Sequence, residues 1–156
     1  MRAIQSLLDE YGESHQNATN KTIHWICVPL IVLSVIGLFW AIPTPEVFQE
    51  VGRGWLNFGT IFAGIAFIYY VVLSPKLALG MVVVVGAMIV TLYLIDQSPV
   101  PIWLASVVIF VGAWVGQFIG HNIEGKKPSF LKDVQFLMIG PLWLLHFIYR
   151  KLGLSY

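Results

Sequence analysis

Four runs without a charged residue, at positions 25–42, 58–73, 77–95 and 100–119, dominate this chain of 156 residues. A helix that crosses the hydrocarbon of a bilayer needs about 20 mostly apolar residues, within a range of roughly 17–25. The first, third and fourth runs reach that length, and the second does so once Leu56 and Asn57 or Ser74 are added. In lipid every backbone polar group must bond inside the chain, so such runs form helices. Composition agrees: 58% of the residues are hydrophobic and only 11% charged, against about 25% charged in a typical soluble domain. Too little polar surface exists to cover a water-soluble globule.

Punctuation divides the runs. Pro43 and Pro45 stop the first, Ser74-Pro75 turns the chain between the second and third, and Ser98-Pro99 with Pro101 leads into the fourth. Short turns make neighbouring helices antiparallel. A fifth apolar stretch, 134–149, is only 16 residues long and carries Gly140-Pro141 near its middle. Proline removes a helix hydrogen bond and clashes with the preceding turn, which predicts a broken, interfacial or re-entrant element. Near the start, Ile4, Leu7, Leu8, Tyr11 and His15 follow helical spacing, which predicts a short amphipathic helix packed on the bundle or lying on the membrane. The expectation is an all-α integral membrane protein: one domain over 1–156, a four-span helical bundle with spans at about 24–42, 56–74, 77–95 and 100–120, an N-terminal amphipathic helix and a C-terminal interfacial or re-entrant helix at about 134–150.

Charge gives the orientation. With four spans, Arg2, Lys21, Lys76, Lys126, Lys127, Lys132, Arg150 and Lys151 share one side and Arg53 has the other to itself. The positive-inside rule then predicts a multi-pass protein with both termini cytoplasmic, in the inner membrane of a bacterium or the endoplasmic reticulum of a eukaryote. Asp9, Glu10 and Glu13 interrupt the place where the apolar core of a signal peptide would lie, so no cleavable signal is expected. A net charge of +1 argues against a nucleic-acid partner, and a single cysteine, Cys27, excludes an intramolecular disulfide or a thiolate metal cluster. Gly112, Gly116 and Gly120 recur every four residues in the fourth run, the pattern of a close helix–helix contact in lipid.

The four histidines fall on the predicted cytoplasmic side: His15 in the N-terminal helix, His24 at the start of the first span, His121 at the end of the fourth and His146 in the C-terminal element. Three have a plain reading, His15 as a solvated helix residue, His24 as an interfacial ring beside Trp25 and His146 as a side chain snorkelling with Tyr149 and Arg150, and His121 is the least open to one. Histidine at the edge of lipid is costly without a partner, and four at one level can partner each other through a metal. Sulfur-free imidazole sites suit iron, zinc, copper or nickel. Gln117, His121 and Glu124 lie at i, i+4 and i+7 on one helix face, and a carboxylate there either ligates the metal or supports a ligand. Asn20, one turn before His24, fits a supporting role, as do Asn17 and Asn122, which flank His15 and His121; a helix cap is the plain alternative for each. Asp96, Glu46 and Glu50 lie on the opposite side and are expected to take no part.

Three segments resemble the signatures of a known membrane family. They are Tyr11-Gly-Glu-Ser-His15 through Asn20-Lys-Thr-Ile-His24-Trp25 to Pro29, Gln117-Phe-Ile-Gly120-His121-Asn-Ile-Glu124 to Pro128, and Gly140-Pro141 followed by His146. The family is that of fungal-type 2-hydroxy fatty acid dioxygenases, and the resemblance spans nearly the whole chain; the loop 43–57 and the middle spans match only in hydrophobicity. It implies an enzyme that uses Fe(2+) and molecular oxygen to shorten a 2-hydroxy fatty acid by one carbon. It also implies His15, His24, His121 and His146 as metal ligands, with Glu124, Gln117 and Asn20 as catalytic candidates. Lys126, Lys127, Arg150 and Lys151 are candidates to attract the substrate carboxylate. An all-histidine set departs from the usual pairing of two histidines with one carboxylate in non-haem iron oxygenases. The competing readings are a haem-binding membrane cytochrome with histidines as axial ligands, and a non-enzymatic membrane scaffold or small transporter. The first requires paired histidines facing each other on spans, and the second polar residues at mid-membrane or an internal repeat, of which the middle runs show little.

Overall fold

The computed structural model describes residues 2–125 and 130–156. These form seven helices: α1 (Arg2–Glu13), α2 (Ala18–Trp40), α3 (Glu46–Gly52), α4 (Phe58–Leu73), α5 (Pro75–Asp96), α6 (Ile102–Glu124) and α7 (Phe130–Lys151). No strand occurs among the described residues. Three of the helices, α2, α5 and α6, are long and apolar enough to cross a membrane.

The expected second span is shorter than 56–74, because its ends are capped. Asn57 stands outside α4 with extended backbone (φ −150°, ψ 173°) and closes a reciprocal capping box with Thr60. Ser74 is extended as well and serves as the N-cap of α5, accepting from the Leu77 amide ahead of a helix that opens on Pro75. The 16 residues of α4 rise about 24 Å, short of a hydrocarbon core of about 30 Å. The small helix α3, absent from the sequence-based expectation, fills the loop after Pro45.

At the centre α2 packs along α6. A Cβ on Gly116 or Gly120 would meet Cys27 or Asn20 of α2, whereas one on Gly112 would meet open space. The predicted glycine stripe is thus a contact at two of its three positions. Burial explains the difference: Ala113, Gln117 and Gly120 face inward, and Gly112 lies on the exposed side. The α4–α5 hairpin closes on α2, with Gly59 set against the Ile36 carbonyl and Gly37 against Ser106 and Leu92. Outward faces are aliphatic: Val72 is 78% exposed and Val83 73%. An exposed apolar surface of this kind needs an apolar solvent or a partner.

The C-terminal element departs most from expectation. Pro141 does not break it; α7 is one continuous helix with Pro141 inside, so it does not turn back on itself. Proline costs about 3 kcal/mol in a helix interior. Here Ile139, Leu142, Trp143, Leu144 and Leu145 are all buried, and packing on that scale outweighs one lost hydrogen bond. The partner surface is α1, whose Ile4, Leu8 and Tyr11 join α7 in one cluster with Val28, Leu77 and Met81. The N-terminal helix is therefore amphipathic as expected and packs against protein. Together α1 and α7 cover the end of the bundle where α2 begins and α6 ends.

Candidate metal centre

The chain between α1 and α2 turns sharply, and this turn assembles the site. Asn17 caps α2, its side chain accepting from the Thr19 and Asn20 amides. Glu124, at the last position of α6, reaches the same turn: Oε1 accepts from the Gln16 amide at 2.8 Å, and Oε2 from the Asn17 amide at 2.9 Å and from Asn20 Nδ2 at 3.0 Å. The carboxylate thus sits at the N-terminus of α2, where helix amides and dipole favour an anion. Gly125 (φ 73°) ends α6 in a left-handed turn directly after it.

This clamp brings three histidines from three segments together. One ligand atom each of His15, His24 and His121 lies within 4.8 Å of the others. His15 and His24 are 3% and 1% exposed. The rings of His15 and His24 meet edge to face at 4.1 Å, and His121 stands 5.4 Å and 5.2 Å from them. Tyr11 stacks on His15 at 4.3 Å and Trp143 lies 5.2 Å from it, so aromatic walls from α1 and α7 close one side.

The hydrogen bonds fix the tautomers. His15 Nδ1 lies 2.6 Å from the Tyr11 carbonyl and His24 Nδ1 3.0 Å from the Asn20 carbonyl. A carbonyl only accepts, so both Nδ1 atoms carry the proton and both Nε2 atoms present bare lone pairs. Those two Nε2 atoms are 2.8 Å apart. Burial holds the His15 imidazole well below its ordinary range, at about 4, outweighing the Tyr11 carbonyl, so at neutral pH the ring keeps only its Nδ1 proton and Nε2 stays bare. Two buried lone pairs meeting in this way repel unless a cation lies between them, and a neutral imidazole whose other nitrogen donates to a carbonyl is the usual form of a metal-bound histidine. The donor set therefore fits a transition metal ion.

The other candidates fall elsewhere. His146 does not join the trio: its Nδ1 bonds the Trp143 carbonyl, and its ring packs on Phe147 and faces Tyr156. Burial lowers its pKa, with Arg150 adding to the effect. Asn20 serves twice, its carbonyl orienting His24 and its amide holding Glu124. Gln117 is buried one turn before His121. Arg150 and Lys151 are exposed at the end of α7, and Asn122 is exposed on α6; Lys126 and Lys127 lie outside the described residues. Asp96 accepts from Trp40 Nε1 at the far end of α2, away from the trio as expected. The roles of Tyr11 and of the Gln16 and Asn17 amides were not anticipated; the one signal was the i, i+4 spacing of Tyr11 and His15. A small apolar groove, with room for about one water molecule, lies deeper in the bundle, lined by Val32, Val35 and Ile36 of α2, Phe62 and Ala66 of α4, and Leu137 and Met138 of α7.

Residues 1–152 match a family described as 2-hydroxy-palmitic acid dioxygenase Mpo1-like. The chain belongs to this Mpo1-like family. A curated relative, 2-hydroxy-palmitic acid dioxygenase MPO1 of Saccharomyces cerevisiae, is 26% identical over 152 residues, covering 96% of this chain and 82% of the yeast protein. No solved structure matches. The Mpo1-like match includes all three histidine-bearing segments, so family and trio coincide in one region of the molecule.

Proposed function

We propose that this protein is an Fe(2+)-dependent dioxygenase that shortens a 2-hydroxy fatty acid by one carbon at the cytoplasmic face of a membrane. The observation that carries the reading is the buried meeting of the His15 and His24 Nε2 atoms beside His121. Family membership and the activity for which the yeast relative is named supply the reaction class. His15, His24 and His121 are the proposed ligands, and three protein ligands leave positions open for reactants. Iron held there would activate dioxygen and offer a Lewis-acidic point to the carboxylate and 2-hydroxyl oxygens, while the substrate, oxidised as it loses its carboxyl carbon, would supply the electrons that dioxygen takes up.

The rest is the work of the chain. The Tyr11 and Asn20 carbonyls orient the imidazoles, and Glu124 supports them by fixing the turn that carries His15 against α6. Tyr11 and Trp143 exclude water from one side. Lys126, Lys127, Arg150 and Lys151 draw the carboxylate to this face. The acyl chain extends from the trio into lipid or between helices; the small apolar groove, whose α2 wall starts at Val32, eight residues and about 12 Å beyond His24, would have to widen to hold it. With α4 as a short fourth span beside α2, α5 and α6 and both termini cytoplasmic, the polar head would lie at the interface and the tail in the apolar interior.

The test is elemental analysis of anaerobically purified protein together with an assay on a 2-hydroxy fatty acid. Wild-type protein is expected to carry close to one iron and to consume oxygen. His121→Ala, with helical circular dichroism unchanged, is expected to lose the metal and at least about a hundredfold in activity. Full activity in that variant overturns the reading.

A further inference from the structure

Gln117 is a buried polar side chain that the trio leaves unexplained. It is 6% exposed, and its Oε1 accepts no hydrogen bond among the described residues. A buried acceptor without a donor destabilises the fold, most of all in a membrane interior. Packing does not require it, since leucine or methionine has a similar volume. Its position is telling. It stands one turn before His121, about 6 Å along α6, next to Gly116, where α6 meets Cys27 of α2. That level lies between the histidines and the apolar groove.

We propose that Gln117 is a specificity-determining residue whose Oε1 accepts a hydrogen bond from the 2-hydroxyl of the substrate. The assignment rests on the dioxygenase reading. The head of an ionised 2-hydroxy acid offers several acceptors and a single donor, the hydroxyl hydrogen. An unfilled amide oxygen is complemented by that donor and by no part of the carboxylate. An unsubstituted fatty acid brings no donor and leaves Oε1 unsatisfied. A site that must hydrogen-bond a hydroxyl discriminates far better than an apolar pocket does, so the selection for 2-hydroxylation resides in this side chain.

The experiment compares wild-type protein with Gln117→Leu and Gln117→Met, metal-loaded and anaerobic so that no turnover occurs. Binding of 2-hydroxypalmitic acid and of palmitic acid is measured alongside metal content and ligand-free thermal stability. Wild type is expected to prefer the 2-hydroxy acid. The variants are expected to bind it about tenfold more weakly and palmitic acid equally well, with metal content unchanged and stability equal or higher. Either variant suffices if the other does not fold. Lowered stability with the preference intact marks a structural role and overturns the assignment. A wild-type preference retained in both variants overturns the assignment alone. Wild type without any preference overturns it together with the dioxygenase reading.

Discussion

His15 and Glu124 show how individual side chains convert a turn into a site. His15 belongs to neither α1 nor α2; the Tyr11 carbonyl aims it and the Tyr11 ring covers it. Among the described residues Glu124 makes no hydrogen bond to His15 or His24, yet it ties two backbone amides and Asn20 to the end of the helix that carries His121. Groups that hold ligands in place commonly contribute 10–100-fold to metal affinity. Glu124→Ala is therefore expected to weaken metal binding by about 10–100-fold in a competition titration, with Glu124→Gln intermediate because it keeps one acceptor oxygen. Unchanged affinity in Glu124→Ala would mean that the turn holds its shape without the clamp.

The helices were largely legible from local signals. Uncharged runs, Ser74-Pro75 and the amphipathic spacing of Ile4, Leu8 and Tyr11 each led to an observed element. Pro141 and Gly112 depart from expectation for a shared reason: local rules weigh a residue without its surroundings. Pro141 was expected to break a helix that tertiary packing sustains. Gly112 was expected to share a contact made only by Gly116 and Gly120. Thermal unfolding in detergent checks the second point. Gly120→Val is expected to lower stability by about 1–3 kcal/mol, because the new side chain drives Asn20 from Glu124. Gly112→Ala is expected to be neutral or to gain up to about 1 kcal/mol from helix propensity. Equal losses at both positions would restore the full stripe.

In the molecule as a whole, α1, α7 and the turn before α5 gather at the end that holds the histidines: Tyr149 Oη donates to the Lys76 carbonyl at 2.7 Å and Tyr156 Oη to Gln5 Oε1 at 3.2 Å. Trp40, Asp96 and the Trp55–Tyr93 stack mark the other end. The proposed topology puts these ends on opposite sides of a membrane. In a Cys27→Ala background, Ser155→Cys in sealed, correctly oriented vesicles is expected to resist a membrane-impermeant maleimide until lysis, and Gln97→Cys to react without it. The same labelling for both would mean that α6 and α7 together cross an even number of times, which contradicts one crossing by α6 with α7 held on the cytoplasmic side.

Local sequence was enough for the helical class, the apolar spans and the level of His24 and His121, because the length of an uncharged run and the placement of proline act over a few residues at a time. Tertiary structure decided which histidines meet. His15 and His24 are nine positions apart, but His121 reaches them only because Gly116 and Gly120 let α6 approach α2 and Glu124 pins the turn. His146, equal to the others by type and by predicted side, packs instead on Phe147 and Tyr156 as α7 lies along α1. Spacing assigns a residue to a helix face; close packing between distant segments selects the faces that touch.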